Sequence, residues 1–201
     1  MIALLDYKAG NLTSVRKALA AVGADVLTPD TPEDLARASA VIMPGVGHFG
    51  ATSALDRRWI DAILDGVSRA KPLLGICLGL HFLFEGSEEA PEVPGLGLLS
   101  GRCVRLRPPE DAGLKVPHVG WNSLDIIRRD TIVDGIETDT QVYFTHSYVA
   151  PLTPDTVAAT THGERFAAVV QRGHVSGAQF HPEKSGEAGL QVLRNFLSQV
   201  R

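Results

Sequence analysis

Short, continuously apolar runs alternating with helix-compatible stretches are what most constrain the fold of this chain. Residues 2–5 (Ile-Ala-Leu-Leu), 40–43 (Ala-Val-Ile-Met) and 72–76 (Pro-Leu-Leu-Gly-Ile) have no polar face, as expected of central strands covered on both sides. Between the first two, Asn11 stands as an N-cap ahead of Leu12, Val15, Leu19 and Val22 at helical spacing, with Gly23 as the stop. Val26 and Leu27 suggest a second strand. Thr31-Pro32-Glu33-Asp34 then gives a cap, a proline at the first helical position and acids in the first turn. A further helix is predicted over about residues 51–68. Strand–helix alternation of this kind requires right-handed crossovers and a mainly parallel sheet.

From residue 96 onward the pattern changes to short alternating stretches, at 101–106, 121–127, 141–150, 156–161 and 166–171, which suggest antiparallel strands. A last helix starts near Ser185, with Leu190, Leu193, Leu197 and Val200 along one stripe, and loops are expected at 85–95 and 108–115. One α/β domain over residues 1–201 accounts for the whole: a mainly parallel central sheet flanked by helices, with antiparallel strands added in the C-terminal half. A net charge of −4, with Lys and Arg scattered, argues against nucleic acid as a partner. Arg102, Arg105 and Arg107 read as the solvated face of a strand. The start lacks the basic region of a signal peptide, and no stretch approaches the roughly 20 apolar residues of a membrane span. Two cysteines, Cys77 and Cys103, do not make a disulfide framework, so a reducing cytoplasm is expected.

Leu73-Leu74-Gly75-Ile76-Cys77-Leu78-Gly79 runs an apolar strand into Gly-x-Cys-x-Gly and then into a helix-compatible segment. This is the pattern of a nucleophile elbow with Cys in the place of Ser. The sharp turn leaves no room for flanking side chains, hence glycine. The helix that follows favours a thiolate. The plainer alternative is a small buried cysteine between incidental glycines; Cys103, without such a context, is read as structural.

In Gln179-Phe180-His181-Pro182-Glu183, Pro182 biases His181 toward an extended backbone, and residues two apart then share a face. Glu183 can hold one ring nitrogen of His181 and leave the other to take the thiol proton, which is triad logic in the order Cys, His, Glu. Taken alone, His-Pro-Glu is also compatible with a surface loop. Pro44-Gly45-Val46-Gly47 ends the third strand. The peptide N–H groups of Val46 and of Leu78 are candidate oxyanion donors, and the flanking glycines would let the Val46 peptide reorient. By itself this segment also reads as a tight turn.

These segments together resemble the class I, triad-type glutamine amidotransferases, with Cys77, His181 and Glu183 as the triad. Finer matches are Asp6-Tyr7-Lys8-Ala9-Gly10-Asn11-Leu12, Pro44-Gly45-Val46-Gly47-His48-Phe49-Gly50, Pro117-His118-Val119-Gly120-Trp121-Asn122, Tyr143-Phe144-Thr145-His146-Ser147-Tyr148 and His181-Pro182-Glu183-Lys184-Ser185. They resemble the glutaminase subunits of imidazole glycerol phosphate synthases, nearly end to end. The resemblance implies a flavodoxin-like fold and hydrolysis of glutamine to glutamate and ammonia through a cysteinyl thioester, without a cofactor or metal. It also implies a heterodimer with a (β/α)8 cyclase, which uses the ammonia to make imidazole glycerol phosphate and AICAR in histidine biosynthesis. Gly45, Gly47, His81, His146, Ser147 and Tyr148 are implied to bind substrate, and Asn11, Trp121, Asn122, Tyr143 and Lys184 to face the cyclase. Read from the residues alone, Trp121 could equally be core and Lys184 a solvated charge.

Two positions depart from the family pattern. His81 replaces the usual Gln four residues after the nucleophile, and Lys8 stands where glycine is more usual. The rival readings are the glutaminase component of anthranilate or aminodeoxychorismate synthase, a stand-alone γ-glutamyl hydrolase, and a non-catalytic regulatory subunit.

Overall fold

A computed structural model describes residues 1–200 and turns the apolar runs into strands of one eight-stranded sheet. β1 (Ile2–Leu4) leads through α1 (Leu12–Ala21) to β2 (Val26–Leu27). β3 (Ala40–Gly45) leads through α2 (Arg57–Ser68) to β4 (Leu73–Cys77), which runs directly into α3 (Leu78–Leu83). Short pieces follow: β5 (Gly86–Ser87), β6 (Arg102–Arg105), β7 (His118–Ser123), β8 (Asp125–Ile126), β9 (Gln141–His146) and β10 (Tyr148–Val149). The long hairpin of β11 (Thr156–His162) and β12 (Glu164–Arg172) precedes β13 (Val175–Ala178) and α4 (Gly186–Leu197).

The sheet order is β2-β1-β3-β4-β13-β12-β11-β8. The first five strands are parallel and the last three are joined antiparallel. A small sheet, β10-β6-β5, and an antiparallel ribbon, β7-β9, flank it. Two-sided burial explains the apolar runs. Ile2, Leu4, Ile42, Leu74 and Ile76 enter one core with Val15 and Leu19 of α1 and Val192, Leu193 and Phe196 of α4. Their neighbours Ala3, Leu5, Val41, Met43 and Leu73 enter the other, with Ile63 of α2 and Phe82 of α3.

Local chemistry moves several expected boundaries. The helix expected over 51–68 is a 3-10 turn at Phe49–Ala54 followed by α2, because Asp56 accepts from the N–H groups of Arg58 and Trp59 and caps the helix there. The segment after Thr31 is six residues of 3-10 helix, Pro32–Arg37, with the Asp34 carboxylate accepting from the Thr31 N–H at 3.1 Å. The buried side of α4 is Val192, Leu193 and Phe196, rotated from the stripe through Leu190 and Leu197, which are only half-buried. The stretch at 141–150 breaks at Ser147, since β9 pairs with β7 while β10 pairs with β6.

One consequence positions the site. The loops after β1, β3, β4 and β13 all leave the same, carboxyl-terminal edge of the parallel strands, where ligands bind in sheets of this kind. No helix among the described residues is long and apolar enough to cross a membrane.

Candidate active site

Cys77 ends β4 and α3 begins at the next residue, so the chain turns from strand to helix at the sulfur itself. The turn is sharp: Cys77 has φ +52° and ψ −103°, a region costing of order 1–3 kcal/mol for a side chain with a Cβ. The flanking glycines are required by contact. A Cβ on Gly79 would lie 2.8 Å from the Met43 carbonyl carbon and nearer still to its oxygen, and one on Gly75 would lie 2.7 Å from the Leu80 nitrogen. The first turn of α3 thus rests against β3 and β4 backbone, with Cys77 buried at 5% exposure.

His181 is extended (φ −100°, ψ 100°), as the following proline favours, and Pro182–Lys184 form a 3-10 turn that brings Glu183 back. Nδ1 of His181 and Oε1 of Glu183 are 2.8 Å apart, both side chains nearly fully buried. The carboxylate accepts, so Nδ1 carries the proton. The loop is pinned to β9 by the His181 N–H donating to the Tyr143 carbonyl at 2.9 Å. The Ser185 hydroxyl adds to this by donating to the His181 carbonyl and accepting from the Tyr143 N–H. Nε2 is buried without a formed hydrogen bond, and the Cys77 thiol has the Thr145 carbonyl oxygen at 3.9 Å. Contacts looser than a formed bond are common before substrate tightens the geometry. Burial works against a charged ring here, but the hydrogen bonding and charge of Cys77 and Glu183 outweigh it and raise His181 to about 9.

A cavity of about 380 Å³ opens at the sulfur. Among the residues singled out from the sequence, Gly47, Cys77, Leu78, His81, His146, Ser147 and Tyr148 line it. Gly45 lies beneath, where a Cβ would fall 2.8 Å from that of Leu78 and closer to the Tyr7 hydroxyl. The Leu78 N–H is the first of α3 and has no partner within the helix. The Val46 N–H is turned away from the cavity, donating to the Ala9 carbonyl at 3.1 Å.

Two of the cavity histidines are committed inside the protein. His81 Nε2 is 2.8 Å from Oε1 of Gln179, whose amide nitrogen is in turn 3.9 Å from the Cys77 sulfur. His146 donates from Nδ1 to the Tyr148 carbonyl, so its Nε2 accepts from Nδ1 of His118 at 3.1 Å. His118 Nε2 therefore accepts from Asn122, which also donates to the Thr161 carbonyl. Burial lowers both His81 and His118 to about 4, the latter also by the nearby His162, and lowers His146 well below its ordinary value.

Trp121, on β7, is 56% exposed, which settles that it is not core. Its ring meets Tyr143 edge-on at 6.0 Å, and Lys184 Nζ lies 5.6 Å from the Tyr143 ring centre. Asn11 caps α1 by accepting from the Ser14 N–H, and Asn122 points inward, as described. Lys8 has φ +63°, a conformation that favours glycine, and its N–H is held by the Asp6 carboxylate at 2.9 Å.

Several residues of the site carry no role in the reading from sequence: His48, Pro117 and Thr145, which line the cavity, Gln179 beside Cys77, and also Glu89 and His118. Glu89 is the one acidic side chain lining the cavity and accepts from the Phe49 N–H at 2.7 Å; its only sequence signal was an acidic pair inside an expected loop. His118 was readable from its place two residues before Gly120 and four before Asn122 on one strand face. Among the described residues, no group of three or more His, Cys, Asp or Glu is placed to hold a metal ion.

A cysteine on a strained strand-to-helix turn and a carboxylate-held histidine are the parts an amidase-type site needs, and the family comparison points the same way. The model for "Glutamine amidotransferase class-I" matches residues 3–200, and the chain belongs to that family. A solved structure titled as a glutamine amidotransferase shares the fold at TM-score 0.76 and 21% identity, covering 99% of this chain and 98% of that one. PurLQS from Thermotoga maritima does so at TM-score 0.73 and 20% identity, covering 100% and 98%.

Within the family, the chain is 45% identical to imidazole glycerol phosphate synthase subunit HisH of Methanothermobacter thermautotrophicus, over the full length of both. It is 46% identical to the subunit of the same name from Moorella thermoacetica, over all of this chain and 95% of that one. It belongs with these HisH subunits.

Proposed function

We propose that the site hydrolyses the side-chain amide of glutamine and hands the ammonia to a synthase partner, as a HisH glutaminase subunit. What supports this is Cys77 at φ +52° on its elbow together with His181 held by Glu183 at 2.8 Å.

The Cys77 thiol proton passes to His181 Nε2, and the sulfur attacks the amide carbon. The oxyanion that forms is met by the Leu78 N–H. Val46 supplies a second donor once its N–H leaves the Ala9 carbonyl, a rotation of the Gly45–Val46 peptide that Gly45, having no Cβ, permits. The C–N bond breaks as His181 gives its proton to the departing ammonia, its imidazolium held in place by the Glu183 carboxylate. Water then attacks the thioester, losing its proton to His181, and glutamate leaves as the C–S bond breaks. Glu89 is the natural counter-ion for the substrate's α-ammonium, while Ser147 and Tyr148 face the same cavity.

Trp121, Tyr143 and Lys184 form a contiguous surface group that suits a docking face, and Asn11 is exposed at the start of α1. The chemistry supplies a reason for a partner. Free ammonia becomes ammonium in water, so its consumer must be sealed against the exit. A free, buried catalytic thiol also suits a reducing compartment such as the cytoplasm.

The test is to mix the chain with a (β/α)8 cyclase subunit and its nucleotide ligand and measure glutamate release. Stimulation over the chain alone supports the assignment. Equal, high turnover without a partner would favour a stand-alone γ-glutamyl hydrolase.

A further inference from the structure

Position 81 lies one helical turn beyond the nucleophile, on the cavity wall, where a direct contact with glutamine is the obvious role. The hydrogen bonds point elsewhere. Nε2 of His81 is 2.8 Å from Oε1 of Gln179, a residue buried at 0% exposure at the end of β13. Among the described residues that carbonyl oxygen has no other side-chain hydrogen-bond partner, and the amide nitrogen has one, the Cys77 sulfur at 3.9 Å. A carbonyl oxygen can only accept, so His81 Nε2 must donate. The His81 ring is neutral, because burial holds it at about 4, so its single proton sits on Nε2.

We propose that His81 is a positioning residue for the nucleophile: it donates to Gln179 Oε1 and so turns the Gln179 amide N–H toward the Cys77 sulfur. The inference rests on the reading of Cys77 as nucleophile. An amide has two faces of opposite polarity and rotates freely between them unless one is held. Reversed, Gln179 would aim its carbonyl oxygen at the sulfur and oppose negative charge there. Held as it is, the amide N–H faces the sulfur twice when charge builds on it. The first time follows transfer of the thiol proton to His181; the second is when the C–S bond breaks and its electron pair returns to sulfur. No bond to His81 or Gln179 forms or breaks. A hydrogen bond to a charged group is worth about tenfold or more in an equilibrium, and the long N–H to sulfur contact places the expectation at about tenfold.

The experiment uses the full chain. The alkylation rate of Cys77 by iodoacetamide is measured at neutral pH by peptide mapping, and glutamine turnover is measured with the cyclase subunit present. H81F keeps a ring but has no donor, whereas H81Q keeps an N–H within reach of Gln179. The expected result is that H81F lowers both Cys77 alkylation and kcat about tenfold with KM changed less than twofold. H81Q should restore most of both, and the effect of H81F should vanish in the Q179L background. Three outcomes overturn the inference. One is that H81F and H81Q behave alike, which makes His81 a space-filling residue. Another is that KM alone rises with alkylation unchanged, which makes it a substrate contact. The third is that the effects of H81F and Q179L simply add. A wild-type Cys77 that reacts no faster than the buried Cys103 would instead defeat the underlying reading of the nucleophile.

Discussion

Gly79→Ala tests whether the elbow is shaped by contact or only by preference. Two effects compete. Replacing glycine by alanine inside a helix gains about 1 kcal/mol of helix propensity. Against it, the new Cβ falls 2.8 Å from the Met43 carbonyl carbon, short of an ordinary carbon contact by about 0.7 Å, and nearer still to the oxygen. The obstacle is β3 backbone, so no side-chain rotation relieves it. Overpacking of this kind costs about 1–3 kcal/mol and occasionally more, and the rigid neighbour argues for the upper end. The net expectation is a loss of about 2 kcal/mol. In urea, at a slope of about 2–3 kcal/mol per molar, the midpoint falls by about 1 M with the slope unchanged. Because Cys77 and the Leu78 N–H ride on the same turn, Cys77 alkylation should fall with it. A variant with a raised midpoint and wild-type Cys77 reactivity would refute the contact argument.

Three further outcomes are expected. Glu183→Gln removes the charge beside His181 and lowers its pKa from about 9, so glutamine turnover drops about 10²-fold or more while the fold persists by circular dichroism; unchanged turnover would contradict the orienting role. His81 sits at about 4 when folded and near 6.5 when unfolded, so the folded state binds fewer protons in that window and stability falls as pH drops through it. The loss attributable to His81 approaches about 3 kcal/mol below pH 4, and H81F should flatten that part of the acid-denaturation curve. Asn195→Leu strands the Ile132 and Asp134 carbonyls that the buried amide now bonds at 3.2 and 2.7 Å, and should cost about 2 kcal/mol in denaturant unfolding.

What could be read without coordinates follows from how local each signal is. Strands β1, β3 and β4 were legible because both of their faces are buried, which leaves no polar position to obscure the run. The elbow and the His-Pro-Glu segment were legible because sterics within a few residues dictate them. β13 was not: Val-Ser-Gly-Ala has neither alternation nor bulk, and its pairing with β4 comes from close packing, Gly177 leaving space for Leu80 and Val170. The start of α2 was misplaced because a single cap at Asp56 outweighs the helical spacing ahead of it. The outward turn of the Val46 N–H depends on Ala9, and the histidine chain from Asn122 to His146 depends on the β7–β9 register. No pattern within one segment reports contacts of that kind.

The proposed hydrolysis requires a covalent intermediate at one sulfur. Quenching the chain with acid during glutamine turnover, in the presence of the cyclase subunit, and mapping the peptides by mass should find one added glutamyl group, carried by Cys77 and absent from Cys77→Ala. Hydrolysis that proceeds at the wild-type rate in Cys77→Ala, or an adduct carried on any other residue, would contradict it.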